Sequence, residues 1–180
     1  MLISLPRDRL RIRDIRAEDP PIIAAAFSAQ GWHKPESQYA QYLAEHRAGR
    51  RRVLLAEVLL SPDQPNFAGY LTIVWESAYP PFREAGIPEI VDFNVLIKYR
   101  RMGIGTALMN EAERLVAERA PIVGIGVGLT PDYAPAHILY IKRGYIPDGR
   151  GLFYRDHHLQ WGESCIVNDE VTLNFTKVLR

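Results

Sequence analysis

The residue types best suited to chemistry lie in one short run, Arg100-Arg101-Met102-Gly103-Ile104-Gly105-Thr106. Two glycines at the mouth of a helix let the backbone come close to a ligand. The first helical turn adds unpaired N–H groups and the positive end of the helix dipole. Lys98, Arg100 and Arg101 bring mobile positive charge to the same place. Together these features suit a phosphate or pyrophosphate. A nucleotide triphosphatase loop would need a lysine after the glycines, and Gly105-Thr106-Ala107 supplies none. A dinucleotide fingerprint would need a third glycine where Leu108 stands.

Such a run works only between a strand and a helix, and its flanks comply. Residues 87–97 form an extended apolar stretch, while Ile104, Ala107, Leu108, Ala112, Leu115 and Val116 share one helical face. The helix is expected to end at Pro121. Earlier in the chain, residues 10–15 alternate apolar and basic side chains as a strand. Asp19-Pro20-Pro21 reads as a helix start with Asp19 as the cap, and Gly31 as the stop. After the loop Trp32-His33-Lys34-Pro35, residues 36–48 form a second helix with Tyr39, Tyr42 and Leu43 on one side.

Residues 52–60 and 68–76 are expected as a strand pair around the turn 61–66. Residues 77–86 are polar and proline-rich, which predicts a loop over one end of the sheet. In the strand 122–129, Gly124, Gly126 and Gly128 alternate with Val123, Ile125 and Val127, so one face carries no side chains. Either something packs against that bare backbone or the strand is bulged. A short helix over 135–142 stops at Gly144, and strands over 151–154 and 170–179 complete the chain. This order predicts an α/β (α+β) fold with a mixed sheet flanked by helices.

At 180 residues the chain reads as a single domain, 1–180, large enough for a real core. A net charge of +1 argues against a nucleic-acid partner. The local basic cluster Arg47, Arg50, Arg51 and Arg52 reads as a solvated helix end leading into a strand. Cys165 is the only cysteine, which excludes a disulfide framework and fits a reducing, cytoplasmic setting. Met1 to Leu10 is too short and charged for a signal peptide, and no run approaches a membrane span. Asp156-His157-His158 lacks the spacing of a metal site, so none is expected.

Arg100-x-x-Gly103-x-Gly105 resembles the Q/R-x-x-G-x-G/A signature of the GNAT superfamily of N-acetyltransferases. Downstream, Ala136-His137-Ile138-Leu139-Tyr140-Ile141-Lys142-Arg143-Gly144-Tyr145 is similar to that family's A-x-x-L-Y-x-x-x-G-F/Y segment. The order of elements along the whole chain resembles the same fold. The resemblance implies a mostly antiparallel twisted sheet with splayed central strands, and acetyl-CoA (coenzyme A) as cofactor. It places the pyrophosphate on the backbone of Arg101, Met102, Gly103, Ile104, Gly105 and Thr106 beside Arg100. It also implies that the pantetheine arm adds as a strand to Phe93, Asn94 and Val95, with the Val95 N–H facing the developing oxyanion. Family members often carry a cofactor-contacting asparagine where this chain has Tyr133, so the resemblance implies a cofactor contact by Tyr133 that lacks the side-chain amide.

Acetyl transfer to an amine needs a proton acceptor, because a typical primary amine is protonated at neutral pH. Tyr140 occupies the position where the family commonly has its acid. Glu89 stands six residues before Val95, where some protein-acetylating members have a glutamate base; Asp92 and then Glu76 follow as candidates. Alternation puts Glu89 and Asp92 on opposite faces unless a bulge intervenes. Trp32, His33, Trp75, Tyr79, Phe82 and Tyr154 are either an aromatic rim for the acceptor or core aromatics. The expected partner is a small-molecule amine, with a peptide as the alternative; a homodimer is possible on family grounds.

Overall fold

The computed structural model describes residues 9–61 and 64–179. The reading of the N-terminus as lacking a leader therefore falls on residues 1–8, outside the described part, as does the tip of the 61–66 turn. Among the described residues, one compact unit comprises residues 9–75 and 90–115, and a second comprises 76–89 and 116–179. No described helix is long and apolar enough to cross a membrane.

The first unit carries strands β1 (Leu10–Asp14), β2 (Arg51–Ser61), β3 (Gln64–Val74) and most of β4 (Glu89–Val95), hydrogen-bonded in that order. The β1–β2 and β2–β3 pairs are antiparallel. Helices α1 (Asp19–Ser28) and α2 (Glu36–Arg47) cover a core of Ile15, Ile23, Phe27, Tyr39, Val53, Leu55, Tyr70 and Leu96. Phe27 lies at its centre, stacked on Trp32 and Tyr39 and edge-on to Tyr70. Trp32 thus packs against this core.

The basic alternation of β1 serves internal ion pairs. Arg11 and Arg13 both reach Glu57, a carboxylate buried within the apolar run of β2. Arg13 also binds Asp19 in a two-pronged pair. Asp19 is therefore not the cap predicted for α1: Glu18 holds that position, and Asp19 accepts from Arg13 and from the Arg16 N–H. The basic cluster at the end of α2 is also more than a solvated helix end. Arg51 bonds Glu45 and Thr72 and lies over the Tyr42 ring, while Arg52 pairs with Asp14.

The second unit carries β5 (Ile122–Gly128), β6 (Ile146–Tyr154), the two-residue β7 (His157–His158) and β8 (Val171–Val178), in the order β5-β8-β6-β7 with antiparallel pairs. β6 begins five residues before the predicted strand, because a register shift between Pro147 and Leu152 interrupts its pattern. Gly149 and Gly151, at φ +80° and +81°, take up that irregularity.

The bare face of β5 is filled by the protein itself. A Cβ on Gly124 would fall 2.3 Å from the Phe82 ring, one on Gly126 2.8 Å from Asn174 Oδ1, and one on Gly128 2.5 Å from the Tyr133 ring. Phe82 overturns the expectation of a surface loop over 77–86. Pro80–Glu84 is a short helix, α3, and both Tyr79 and Phe82 are buried. The prolines that suggest a loop occupy the first helical turn, where a missing N–H costs nothing. Gly124→Ala is accordingly expected to destabilise the chain by about 1–3 kcal/mol through overpacking. Thermal denaturation checks this; an unchanged melting temperature would contradict the packing, and Phe82→Leu in the same background should restore part of the loss.

Candidate active site

After β4 a single 3-10 turn, Ile97–Tyr99, leads to Arg100 and Arg101, and the chain then enters helix α4 (Ile104–Ala117). Arg101 and Gly103 adopt left-handed backbone, at φ +64° and +84°, which swings the chain sharply into the helix. The first α4 hydrogen bond runs from the Ala107 N–H to the Gly103 carbonyl. The N–H groups of Ile104, Gly105 and Thr106 precede it and have no helical acceptor. Gly105 is small for a packing reason: a Cβ there would sit 3.0 Å from the Phe93 ring.

Arg100 Nε donates to the Val95 carbonyl at 3.3 Å, and its guanidinium lies 5.4 Å from the centre of the Trp32 ring. Arg101 and Thr106 are exposed, and Met102 is half-buried. Gln30 accepts the Ile97 N–H, and the Leu96 N–H bonds the Ala68 carbonyl. Gly69 is needed where β3 meets β4, because a Cβ would lie 2.5 Å from the Asn94 carbonyl oxygen. The structure thus gathers Trp32, Phe93, Val95, Arg100 and the glycine turn into one locality.

Asp92 is the most heavily bonded acid in the first unit. Its Oδ1 accepts Lys34 Nζ at 2.8 Å and Asn94 Nδ2 at 2.9 Å. Its Oδ2 accepts Tyr70 at 2.5 Å, Tyr42 at 2.9 Å and Gln38 at 3.1 Å. Burial works against the ionised form, but Lys34 and the hydroxyl donors overcome it and hold the carboxyl below its ordinary range. The same enclosure and the Asp92 charge push the Tyr42 hydroxyl up to about 12. Asp92 itself takes φ +51°, a left-handed kink in β4. Gln38 and Tyr42 are four apart on α2 and meet it together. Beside this knot, a shallow groove of about 470 Å³ is lined by Ala24, Ser28, His33, Lys34 and Glu36 among others.

Glu89 shares no partner with Asp92. It is 8% exposed in the second unit, where Oε2 accepts Ser77 Oγ at 2.5 Å. The Gly126 backbone also donates to it, yet burial dominates and raises its pKa. Oε1 and Asn174 Oδ1 converge on the space over the bare Gly126 Cα. Tyr140, on α5 (Ala134–Lys142), is 4% exposed, and burial raises its pKa as well. Its ring packs 5.9 Å from that of Tyr145. Tyr133 packs over Gly128 and donates to Asp169 at 3.0 Å.

The predicted acceptor residues have different surroundings. Tyr79 is core, with its hydroxyl 2.7 Å from Asp148 and 2.8 Å from His158. Tyr154 lies against Arg155 and His157, Trp75 is half-buried, and Glu76 is exposed. Lys34 and Tyr70 beside Asp92, and Ser77 and Asn174 beside Glu89, were not anticipated from the sequence. Only the four-residue spacing of Gln38 and Tyr42 offered a signal, since the other partners are remote in sequence.

A model of the acetyltransferase (GNAT) family matches residues 10–145. Solved structures of similar fold include an N-acetyltransferase from Staphylococcus aureus, at 14% identity and TM-score 0.66, covering 95% of this chain and 99% of that one. A Salmonella typhimurium acetyltransferase that modifies the N-terminal serine of a 50S ribosomal subunit protein gives 10% identity and TM-score 0.68, covering 99% of each chain. A spermidine N-acetyltransferase chimera from Vibrio cholerae gives 12% identity and TM-score 0.65, covering 95% of this chain and 96% of that one. At these identities the likeness is one of fold. No curated protein sequence matches. The glycine turn lies inside the matched span, as do Glu89, Asp92 and Tyr140, and the chain belongs to the GNAT family of acetyltransferases.

Proposed function

We propose that this chain transfers the acetyl group of acetyl-CoA to a primary amine. The observation that carries the reading is the glycine turn, whose left-handed Arg101 and Gly103 lead into a fourteen-residue helix, where the first N–H groups have no helical acceptor. Bound there, acetyl-CoA would supply an activated acetyl thioester and a diphosphate. The N–H groups of Ile104, Gly105 and Thr106 would hold that diphosphate, with exposed Arg101 adding charge. Trp32 and the Val95 carbonyl hold Arg100 in place beside them.

Glu89 is the favoured proton acceptor. Burial makes it hold a proton more readily than an ordinary glutamate, which suits a base working near neutral pH. Asp92 is a poor base because five donors already occupy it and stabilise its charge. Its role is to tie the kink of β4 to α2 and to Lys34. Tyr140 keeps its proton through the neutral range and would release it to the leaving sulfur.

A small-molecule amine is the first reading of the acceptor. A second, the amino terminus of a protein, gains from α3: the 77–86 segment is anchored through Phe82 on Gly124, so it is no movable cover. Release of free thiol from acetyl-CoA, screened over polyamines, aminoglycosides, amino acids and short peptides, separates the two. A folded sample showing neither a thermal shift with acetyl-CoA nor thiol release would end the proposal.

Glu89→Gln is expected to cut kcat by about 10²-fold while raising the melting temperature at pH 8. A carboxyl with a raised folded pKa favours the fold below its unfolded value of about 4.3 and loses that advantage as pH rises. The stabilisation by Gln should therefore grow from pH 5 to pH 8. A variant less stable at pH 8 than at pH 5, relative to wild type, would contradict the assignment.

A further inference from the structure

Besides the exposed amine of Lys98, the first unit holds a partly enclosed one, Lys34. Its Nζ donates to Asp92 Oδ1 at 2.8 Å and to the Tyr70 hydroxyl at 3.2 Å. The centres of the Phe27 and Tyr70 rings each lie 5.8 Å from it. Tyr70 gives its own proton to Asp92, so ammonium, phenol and carboxylate close a ring of contacts. Lys34 also borders the groove along α1, which leaves its four-carbon stem room to swing off the carboxylate.

Its direction sets this amine apart from the other three lysines of the chain. Asn94 Nδ2 donates at 2.9 Å to the same atom, Asp92 Oδ1, so the Lys34 amine and the Asn94 side chain meet on one oxygen. Asn94 is the middle residue of the Phe93–Val95 segment, which would take the pantetheine arm as an added strand. Phe93 and Val95 face the other way, toward Gly105 of the glycine turn. A thioester carried along this segment would lie beside the Lys34 amine, inside the same compact unit. Lys98 instead lies over the Tyr99 ring beyond β4, and Lys142 and Lys177 belong to the second unit.

We propose that Lys34 is an internal acceptor of the acetyl group, and that its ion pair with Asp92 restrains the reaction. This rests on the acetyl-CoA reading above. While paired as an ammonium, the nitrogen has no electron pair to attack with. In the step, the ammonium gives one proton to solvent, the nitrogen bonds to the thioester carbonyl carbon, and the carbon–sulfur bond breaks. A second N–H proton leaves as the amide forms and ends on the departing sulfur. The products are acetylated Lys34 and the free thiol of coenzyme A. The acetylated side chain is neutral, so the modification also removes the ion pair with Asp92.

The test incubates the full chain with acetyl-CoA and no other amine, and follows each lysine by peptide mass spectrometry. Label should gather on Lys34 at a rate independent of protein concentration. It should gather about tenfold faster in Asp92→Asn, which frees the ammonium from a partly enclosed pair. Lys34→Arg should keep the pair and lose the label. Equal label on Lys98, Lys142 and Lys177, or a rate that rises with protein concentration, overturns the proposal, as does an Asp92→Asn rate no higher than wild type. An unlabelled Lys34 in wild-type protein whose melting temperature acetyl-CoA still raises overturns this inference alone. No label and no thermal shift would end the acetyl-CoA reading and this inference together.

Discussion

Tyr140→Phe is expected to lower kcat by about 10²–10³-fold and to leave the KM for acetyl-CoA and the melting temperature nearly unchanged. The ring is 4% exposed and packed against Tyr145, and phenylalanine keeps that packing. Only the oxygen is lost. Because burial lifts the hydroxyl above the ordinary tyrosine range, the wild-type enzyme should hold its acid through neutral pH. The alkaline limb of kcat should accordingly lie above the range of an exposed tyrosine. Steady-state kinetics from pH 6 to 10 decide the matter. Unchanged kcat in the variant would remove Tyr140 from the chemistry, and a large fall in melting temperature would make its role one of packing.

The second large effect is on stability. Asp92→Ala strips the acceptor from Lys34, Gln38, Tyr42, Tyr70 and Asn94 together. Tyr70 is fully buried, so its hydroxyl is left without that partner in a place water does not reach. Lys34 and Asp92 are only partly enclosed, at 28% and 19% side-chain exposure, which moderates the loss. About 3 kcal/mol is expected, equivalent to a fall of roughly 6–12 °C in melting temperature for a chain of this size. Asp92→Asn should lose less, since asparagine keeps one acceptor and tolerates left-handed backbone better than alanine.

The pH dependence of this knot follows from a carboxyl held low. Its contribution is complete above the unfolded value of about 3.9 and disappears as pH falls through the lower folded value. The gap between wild type and Asp92→Ala should therefore be constant from pH 8 to pH 5 and shrink in acid. A gap that widens in acid would mean that Asp92 is not the ionised partner of Lys34.

The glycine turn and α4 were legible because their signals are local. The apolar spacing from Ile104 to Val116 and the two glycines act within a few residues of themselves. The 77–86 segment was misread for the same reason: Pro80 and Pro81 look like loop residues until Phe82 is seen filling the space over Gly124, some forty residues away. Both acids in β4 were visible as acids. Nothing local told which of them would be enclosed with a serine and which would meet a lysine.

The amino-acid sequence by itself determined where the chain turns, which faces of its helices are apolar, and that a phosphate-suited helix start follows a strand. Those are questions of backbone sterics and short-range periodicity. The tertiary structure alone decided the opposite directions in which the Glu89 and Asp92 carboxyls are shifted. A carboxyl or imidazole takes its charge state from burial and from the donors around it. Here those donors come from positions 34, 38, 42, 70 and 77, which only the folded topology brings within hydrogen-bond reach.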